Sequence, residues 1–171
     1  MLSKNELLAR LDALHLPYEY EEHNAVFTMG ESEKITLSLT GARCKNLLLQ
    51  EKSGACFLVM TTPTKTLDLT AAAKAFGSKR LSFASAELLY DTLGLRPGSL
   101  SPLALVNDET GKVRLIIDSD LAGEDVFLLH PLENSATLAI SRDVLEKFLD
   151  SANHKPSWLA LEARMPVPPA N

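Results

Sequence analysis

The sequence predicts an α+β fold with a mixed, mainly antiparallel sheet in a single domain. Two observations carry this. Candidate strands come in hairpins and candidate helices come singly between them, unlike the strand–helix alternation of a doubly wound parallel sheet. The chain has 171 residues, 46% hydrophobic and 23% charged, and a chain of that kind buries roughly two thirds of its unfolded surface and folds without staples. No internal repeat, low-complexity block or linker divides it. The predicted organisation is one domain over residues 1–154 and a proline-rich tail over residues 155–171.

Ser3 and Glu6 form an S-x-x-E capping box. Leu7, Leu8, Leu11 and Leu14 follow at helical spacing, and Pro17 stops that helix. Residues 18–22 alternate aromatic and acidic side chains and read as a short strand, with Tyr18 and Tyr20 facing one way. Thr28 and Glu31 make a second capping box for a helix reaching about Leu39, punctuated by Gly41. The apolar segments 44–50 and 55–61 flank Lys52-Ser53-Gly54, a hairpin signal with its turn at Ser53-Gly54. Asp68 caps a helix over Leu69–Phe76 that Gly77 closes, and Ser85 caps another through Leu93 that Gly94 closes, with a short strand over residues 81–84 between them. The loop 96–101 leads into a predicted strand over residues 102–106, and residues 107–111 turn the chain. Strands over residues 113–117, 126–129 and 136–140 follow. A last helix over residues 142–149 sets Leu145, Phe148 and Leu149 on one face. The tail carries four prolines and reads as a flexible or docked extension.

Composition narrows the function. The net charge of −5 counts against a general nucleic-acid coat, although it leaves room for a local basic patch. Cys44 and Cys56 make neither a C-x-x-C nor a zinc pattern and read as free thiols in a reducing compartment. No apolar run approaches the length of about 20 residues that spans a bilayer, and the chain opens on a capped helix, not a signal peptide. The expectation is a soluble cytoplasmic protein with no membrane partner. His15, His23, His130 and His154 are scattered, so no metal is expected, and the absence of Walker A and G-x-G-x-x-G patterns argues for no cofactor.

Three constellations could carry chemistry. Lys45-Asn46 opens the apolar run Leu47-Leu48-Leu49. A lysine there is either solvated at the strand end or lines a cleft. Adjacent strand residues face opposite ways, so Lys45 and Asn46 share a pocket only if the strand begins with a bend. The loop Gly98-Ser99-Leu100-Ser101-Pro102 is either an ordinary turn or a cradle whose amides grip an oxyanion, a carbonyl or a phosphate. It is not G-x-S-x-G, and nothing supports a nucleophile elbow. His130 follows a strand and opens the loop Pro131-Leu132-Glu133-Asn134-Ser135-Ala136-Thr137. It is either satisfied by loop backbone or serves as a base, donor or clamp.

Together, in this order and spacing, the three motifs resemble the YbaK/ProX family of bacterial editing domains related to the insertion domain of prolyl-tRNA synthetase. His23-Asn24-Ala25-Val26-Phe27-Thr28 is similar to the family's motif ahead of its second helix, although the family usually has proline where this chain has Asn24 or Ala25. The resemblance covers about residues 3–150 and is greatest to the free-standing alanyl-tRNA(Pro) deacylases. It implies a compact α+β domain with a curved mixed sheet, and a metal-free enzyme that hydrolyses the ester joining an amino acid to the terminal ribose of tRNA. It implies that Lys45 is the essential lysine, that Gly98, Ser99 and Ser101 belong to the loop contacting substrate, and that His130 and Asn134 belong to the far wall of the pocket. Lys45, Gly98, Ser99 and His130 are assigned as catalytic, and Tyr20, Asn46, Ser101, Pro102 and Asn134 as substrate-binding. The partner implied is an aminoacyl-tRNA, at the acceptor end of proline tRNA, with prolyl-tRNA synthetase a second candidate.

The task has a physical logic. A pocket built for proline cannot strongly exclude a smaller amino acid, because a missing methylene is worth only about 1–3 kcal/mol, and a second site admitting alanine but not proline completes a double sieve. The expected function is trans-editing of alanyl-tRNA(Pro). A sister deacylase for cysteinyl-, seryl- or threonyl-tRNA, and a tRNA-binding module without turnover, are the alternatives.

Overall fold

The structure is a computed structural model and describes residues 1–25, 37–166 and 170. Its helices begin where side chains replace missing backbone partners. The amide of Glu6 donates to Ser3 Oγ and the amide of Ser3 to Glu6 Oε1, closing the box that starts α1 (Lys4–Ala13). Leu7 and Leu11 bury one face of α1, while Leu14 lies outside it and is exposed. Strand β1 (Glu19–Glu22) follows. The helix expected from Thr28 lies outside the described residues, except that residues 37–39 are not helical.

Strand β2 (Ala42–Arg43) leads through Cys44 into β3 (Lys45–Glu51), which forms the expected hairpin with β4 (Cys56–Thr61). Gly54 turns the hairpin at φ 102°, a left-handed conformation that glycine adopts without strain. Helix α2 (Leu69–Phe76) starts at Asp68, whose carboxylate accepts from the Ala71 amide at 3.0 Å, and ends at Gly77 with φ 68°. After β5 (Leu81–Phe83), helix α3 (Ala86–Leu93) repeats the device with Ser85 and Gly94. The rest comprises β6 (Val113–Asp118), a 3-10 turn Ser119–Leu121, β7 (Val126–Leu129), β8 (Ala136–Ser141), α4 (Arg142–Ser151) and β9 (Ser157–Leu159).

The expected strand over residues 102–106 is instead a 3-10 helix, Pro102–Asn107. Pro102 lacks an amide proton for a ladder but fits a first helical turn, and Ser101 caps that turn by accepting from the Leu103 amide at 3.3 Å. Residues 102–106 are all buried. A short, fully apolar run reads alike for a buried strand and a buried helix, which is why periodicity misled.

The fold is mixed α+β, with its strands divided between two sheets. The larger has the order β5-β3-β4-β6-β9 and the smaller β1-β8-β7-β2. Pairs β1–β8, β3–β4, β3–β5 and β7–β8 are antiparallel, and β2–β7, β4–β6 and β6–β9 are parallel. All six residues of β4 are buried because both of its faces are covered. Alternation sends Cys56, Leu58 and Met60 into the main core with α1, α3 and α4. Phe57 and Val59 go into a second core under α2, with Leu161 of the C-terminal segment. That segment pairs with the fold through β9, and Leu67 bridges to Ala163.

Cys44 sits where the chain passes from one sheet to the other. Burial pushes its thiol up to about 12, and Cys56 is pushed up for the same reason. Both cysteines are free thiols.

Candidate active site

The passage from β2 to β3 positions Lys45. Arg43 pairs with Leu128 of β7 in parallel register, so the two chains run the same way and bring Lys45 and His130 out at the same end of the pairing. In β3, Lys45 lies opposite Thr61 and Asn46 opposite Met60, so alternation turns them to opposite faces. The Lys45 ammonium is half-buried and donates to the backbone carbonyl of Lys65. Burial pulls its pKa below the ordinary lysine value. The Asn46 amide leaves its Oδ1 buried with no hydrogen-bond partner among the described residues. A buried acceptor left unsatisfied costs about 1–3 kcal/mol, and the deficit is met if a ligand supplies the donor.

The second part of the site is a pair of pinned loops. Gly98 has φ 91°, and this left-handed turn carries the chain from Arg96 into the buried Ser99 and Ser101. Ser101 is fully enclosed, and its Oγ donates to the His130 carbonyl at 2.7 Å. Pro102, also buried, is the first residue of the 3-10 helix. Ser101 thus ties the Gly98 loop to the end of β7. On the other side, His130 Nδ1 donates to the carbonyl of Ala136 at 2.8 Å. Leu132 holds the turn between them in a left-handed conformation, φ 68°, with its side chain buried. Burial, ahead of the neighbouring His23, pulls the His130 pKa below 6.5 against the Ala136 hydrogen bond. His130 is therefore neutral at pH 7, with its proton on Nδ1, and offers Nε2 as an acceptor.

His23, in the motif ahead of the predicted second helix, lies beside His130. Its ring centroid lies 6.1 Å from that of His130, and its Nε2 is 2.7 Å from Thr137 Oγ1. The motif ahead of the second helix was the signal that could have found it. Tyr20 lies on β1 opposite Leu138, with its hydroxyl donating to Glu22 at 2.8 Å and the Lys4 ammonium over its ring. Lys4 also reaches Glu133 at 3.4 Å, which brings Tyr20 to the loop that carries the half-buried Asn134. Among the described residues no group of three or more His, Cys, Asp or Glu side chains is placed to hold a metal ion. None of the described helices is long and apolar enough to cross a membrane.

Comparison with known proteins bears on this geometry. The aminoacyl-tRNA editing domain family matches residues 23–148, which contain β3, the Gly98 loop and the His130 loop. The chain belongs to the aminoacyl-tRNA editing domain family. Deacylation of aminoacyl-tRNA is accordingly its class of activity. Among its relatives, the prolyl-tRNA editing protein ProX of Acetoanaerobium sticklandii is 37% identical over 150 residues, covering 87% of this chain and 92% of the relative. The prolyl-tRNA synthetase associated domain-containing protein 1 of Danio rerio is 32% identical over 161 residues, covering 93% and 88%. A crystal structure described as a candidate trans-editing enzyme for prolyl tRNA synthetase superposes with a TM-score of 0.69 over 96% of this editing domain and 100% of that chain, at 19% identity.

Proposed function

We propose that this editing domain acts in trans in the cytoplasm on mischarged proline tRNA and hydrolyses alanyl-tRNA(Pro). The observation that carries the reading is the fixing of His130, with its Nδ1 on the Ala136 carbonyl and its own carbonyl pinned through Ser101 to the Gly98 turn. A water held by Nε2 is presented to the ester carbonyl, and the turn amides are the donors for the oxyanion that forms as the water oxygen attacks. His130 Nε2 takes a proton from the attacking water and returns it to the ribose oxygen as the bond from the carbonyl carbon to that oxygen breaks, releasing alanine and tRNA. Lys45 acts as a cationic clamp on an anionic group or on the developing charge, while the substrate's own ribose hydroxyl or amino group helps the water. Asn46 faces the other side of β3 from Lys45 and takes no part in that clamp. Gly98, Ser99 and His130 make the reaction face with Lys45. Asn134 and Tyr20 wall the pocket, and Ser101 and Pro102 hold the loop. Relatives that bear prolyl-tRNA editing and prolyl-tRNA synthetase in their names support proline tRNA as the partner and the synthetase as a second one.

Single-turnover rates on alanyl-tRNA(Pro), seryl-tRNA and prolyl-tRNA(Pro) test the substrate. Apolar walls reject the bulkier proline at about 1–3 kcal/mol for overpacking but discriminate against an added hydroxyl by roughly a hundredfold at most. The expected order is alanyl fastest, seryl slower, prolyl almost none. Prolyl ester cleaved as fast as alanyl ester refutes the double sieve, and a preference for seryl, cysteinyl or threonyl esters makes this a sister deacylase.

A further inference from the structure

Lys45 reaches a carbonyl, and that carbonyl is itself held in place by a buried ionic network that joins the end of β4, the end of β6 and the C-terminal segment. Asp118, at the end of β6, is completely buried. Its Oδ2 accepts from Thr61 Oγ1 at 2.6 Å and from Lys65 Nζ at 2.7 Å, and its Oδ1 accepts from the Asp120 amide at 3.0 Å. The Lys65 ammonium spends its three protons on Asp118, on Asp120 at 2.7 Å and on the carbonyl of Leu161 at 2.8 Å. Lys65 closes the turn over residues 62–65, its amide donating to the Thr62 carbonyl. Its own carbonyl receives the Lys45 ammonium. Thr61 is the ladder partner of Lys45. Asp118 therefore grips both the residue facing Lys45 across the strands and the residue whose carbonyl fixes the Lys45 side chain.

We propose that Asp118 is a positioning residue of the active site, holding Lys65 and Thr61 so that the Lys65 carbonyl fixes the Lys45 ammonium; the proposal rests on the reading of Lys45 as a site residue. Burial pushes the Asp118 carboxyl up, but the hydrogen bonds from Lys65, Thr61 and the Asp120 amide outweigh it and leave the group below its ordinary value. It is an anion facing a cation whose every donor is used. Stability alone is a poor reason for such a network, because a buried ion pair roughly breaks even against apolar packing once desolvation is counted. Its geometric effect is specific. The C-terminal segment joins it through Leu161, and the backbone pairs Asp68 amide to Glu162 carbonyl and Arg164 amide to Thr66 carbonyl strap the same stretch of chain.

The test compares wild type with Asp118→Asn and Lys65→Met in the full chain. The expected result is cooperative unfolding in both variants, and a kcat on alanyl-tRNA(Pro) about tenfold or more lower at nearly unchanged KM, because the lost contact acts on a group used in the transition state. Two-dimensional NMR of the lysine ammonium groups gives a readout independent of substrate. The Lys45 signal, distinct from solvated lysines in wild type, should move to the solvated position in both variants. An unmoved Lys45 signal, or a rise in KM with kcat intact, overturns the proposal. If wild type cleaves no aminoacyl ester, the functional reading fails while the ammonium signal still decides the positioning. Should Asp118→Asn fail to fold, Lys65→Met, which keeps the buried carboxylate beside Thr61, decides alone.

Discussion

Replacing Ser101 by alanine should weaken both the fold and the chemistry. The hydroxyl is fully buried, donates to the His130 carbonyl at 2.7 Å and accepts from the Leu103 amide at 3.3 Å. Alanine leaves a buried carbonyl without its donor, a loss of about 1–3 kcal/mol, and removes a helix cap worth about 1 kcal/mol. The expected loss is about 3 kcal/mol, which for a chain of this size lowers Tm by about 6–12 °C. The hydroxyl is spent on the His130 carbonyl and the Leu103 amide, so its loss removes the pin between the Gly98 turn and the His130 loop. A displacement of about 1 Å between reacting groups can cost about a hundredfold in rate, so single-turnover deacylation should fall by about ten- to a hundredfold well below the new Tm. Differential scanning calorimetry and the single-turnover assay measure the two effects. A Tm within about 2 °C of wild type would show that the hydroxyl contributes little, and an unchanged rate would show that the two loops need no pin.

Lys45→Ala should abolish deacylation while Tm stays near wild type, and Lys45→Arg should restore little of it, because a planar fork replaces a compact charge; an alanine variant with near-normal turnover would place the chemistry elsewhere. The pH profile of kcat/KM should have an acid limb below 6.5, because burial depresses the His130 pKa and the neutral ring is the working form. Stability follows the same sign: the unfolded chain binds the proton first, so His130's contribution is complete above about 6.5 and is lost as pH falls through the depressed folded value. A limb above 6.5 that moves with His130→Gln would contradict this. EDTA should leave the rate unchanged in the same assay; loss of activity that zinc restores would overturn the metal-free reading.

Much of the fold was legible because helix caps are local. Ser3 with Glu6, Asp68 with Gly77 and Ser85 with Gly94 each announce a helix within a few residues, and Ser53-Gly54 announces the hairpin. The errors came where tertiary context decides. Residues 102–106 are apolar throughout, so their pattern does not separate a strand from the 3-10 helix that Pro102 and the Ser101 cap begin. The two-residue β2 and the three-residue β9 are strands because β7 and β6 lie beside them. In the site, Lys45 and His130 stood out as polar residues at the ends of apolar runs. Asp118, Lys65 and Thr61 did not, since their contacts join residues 53 and 57 positions apart in sequence.

The two thiols make the molecule convenient to label. Cys44 and Cys56 are free but held in their protonated form by burial, Cys44 at about 12, and alkylating reagents attack the thiolate. Neither native cysteine should compete with one introduced on the surface at neutral pH. A fluorophore placed at Tyr90→Cys, on the exposed face of α3, would report tRNA binding from a single position, with both native cysteines left in place and the sheet junction at Cys44 undisturbed.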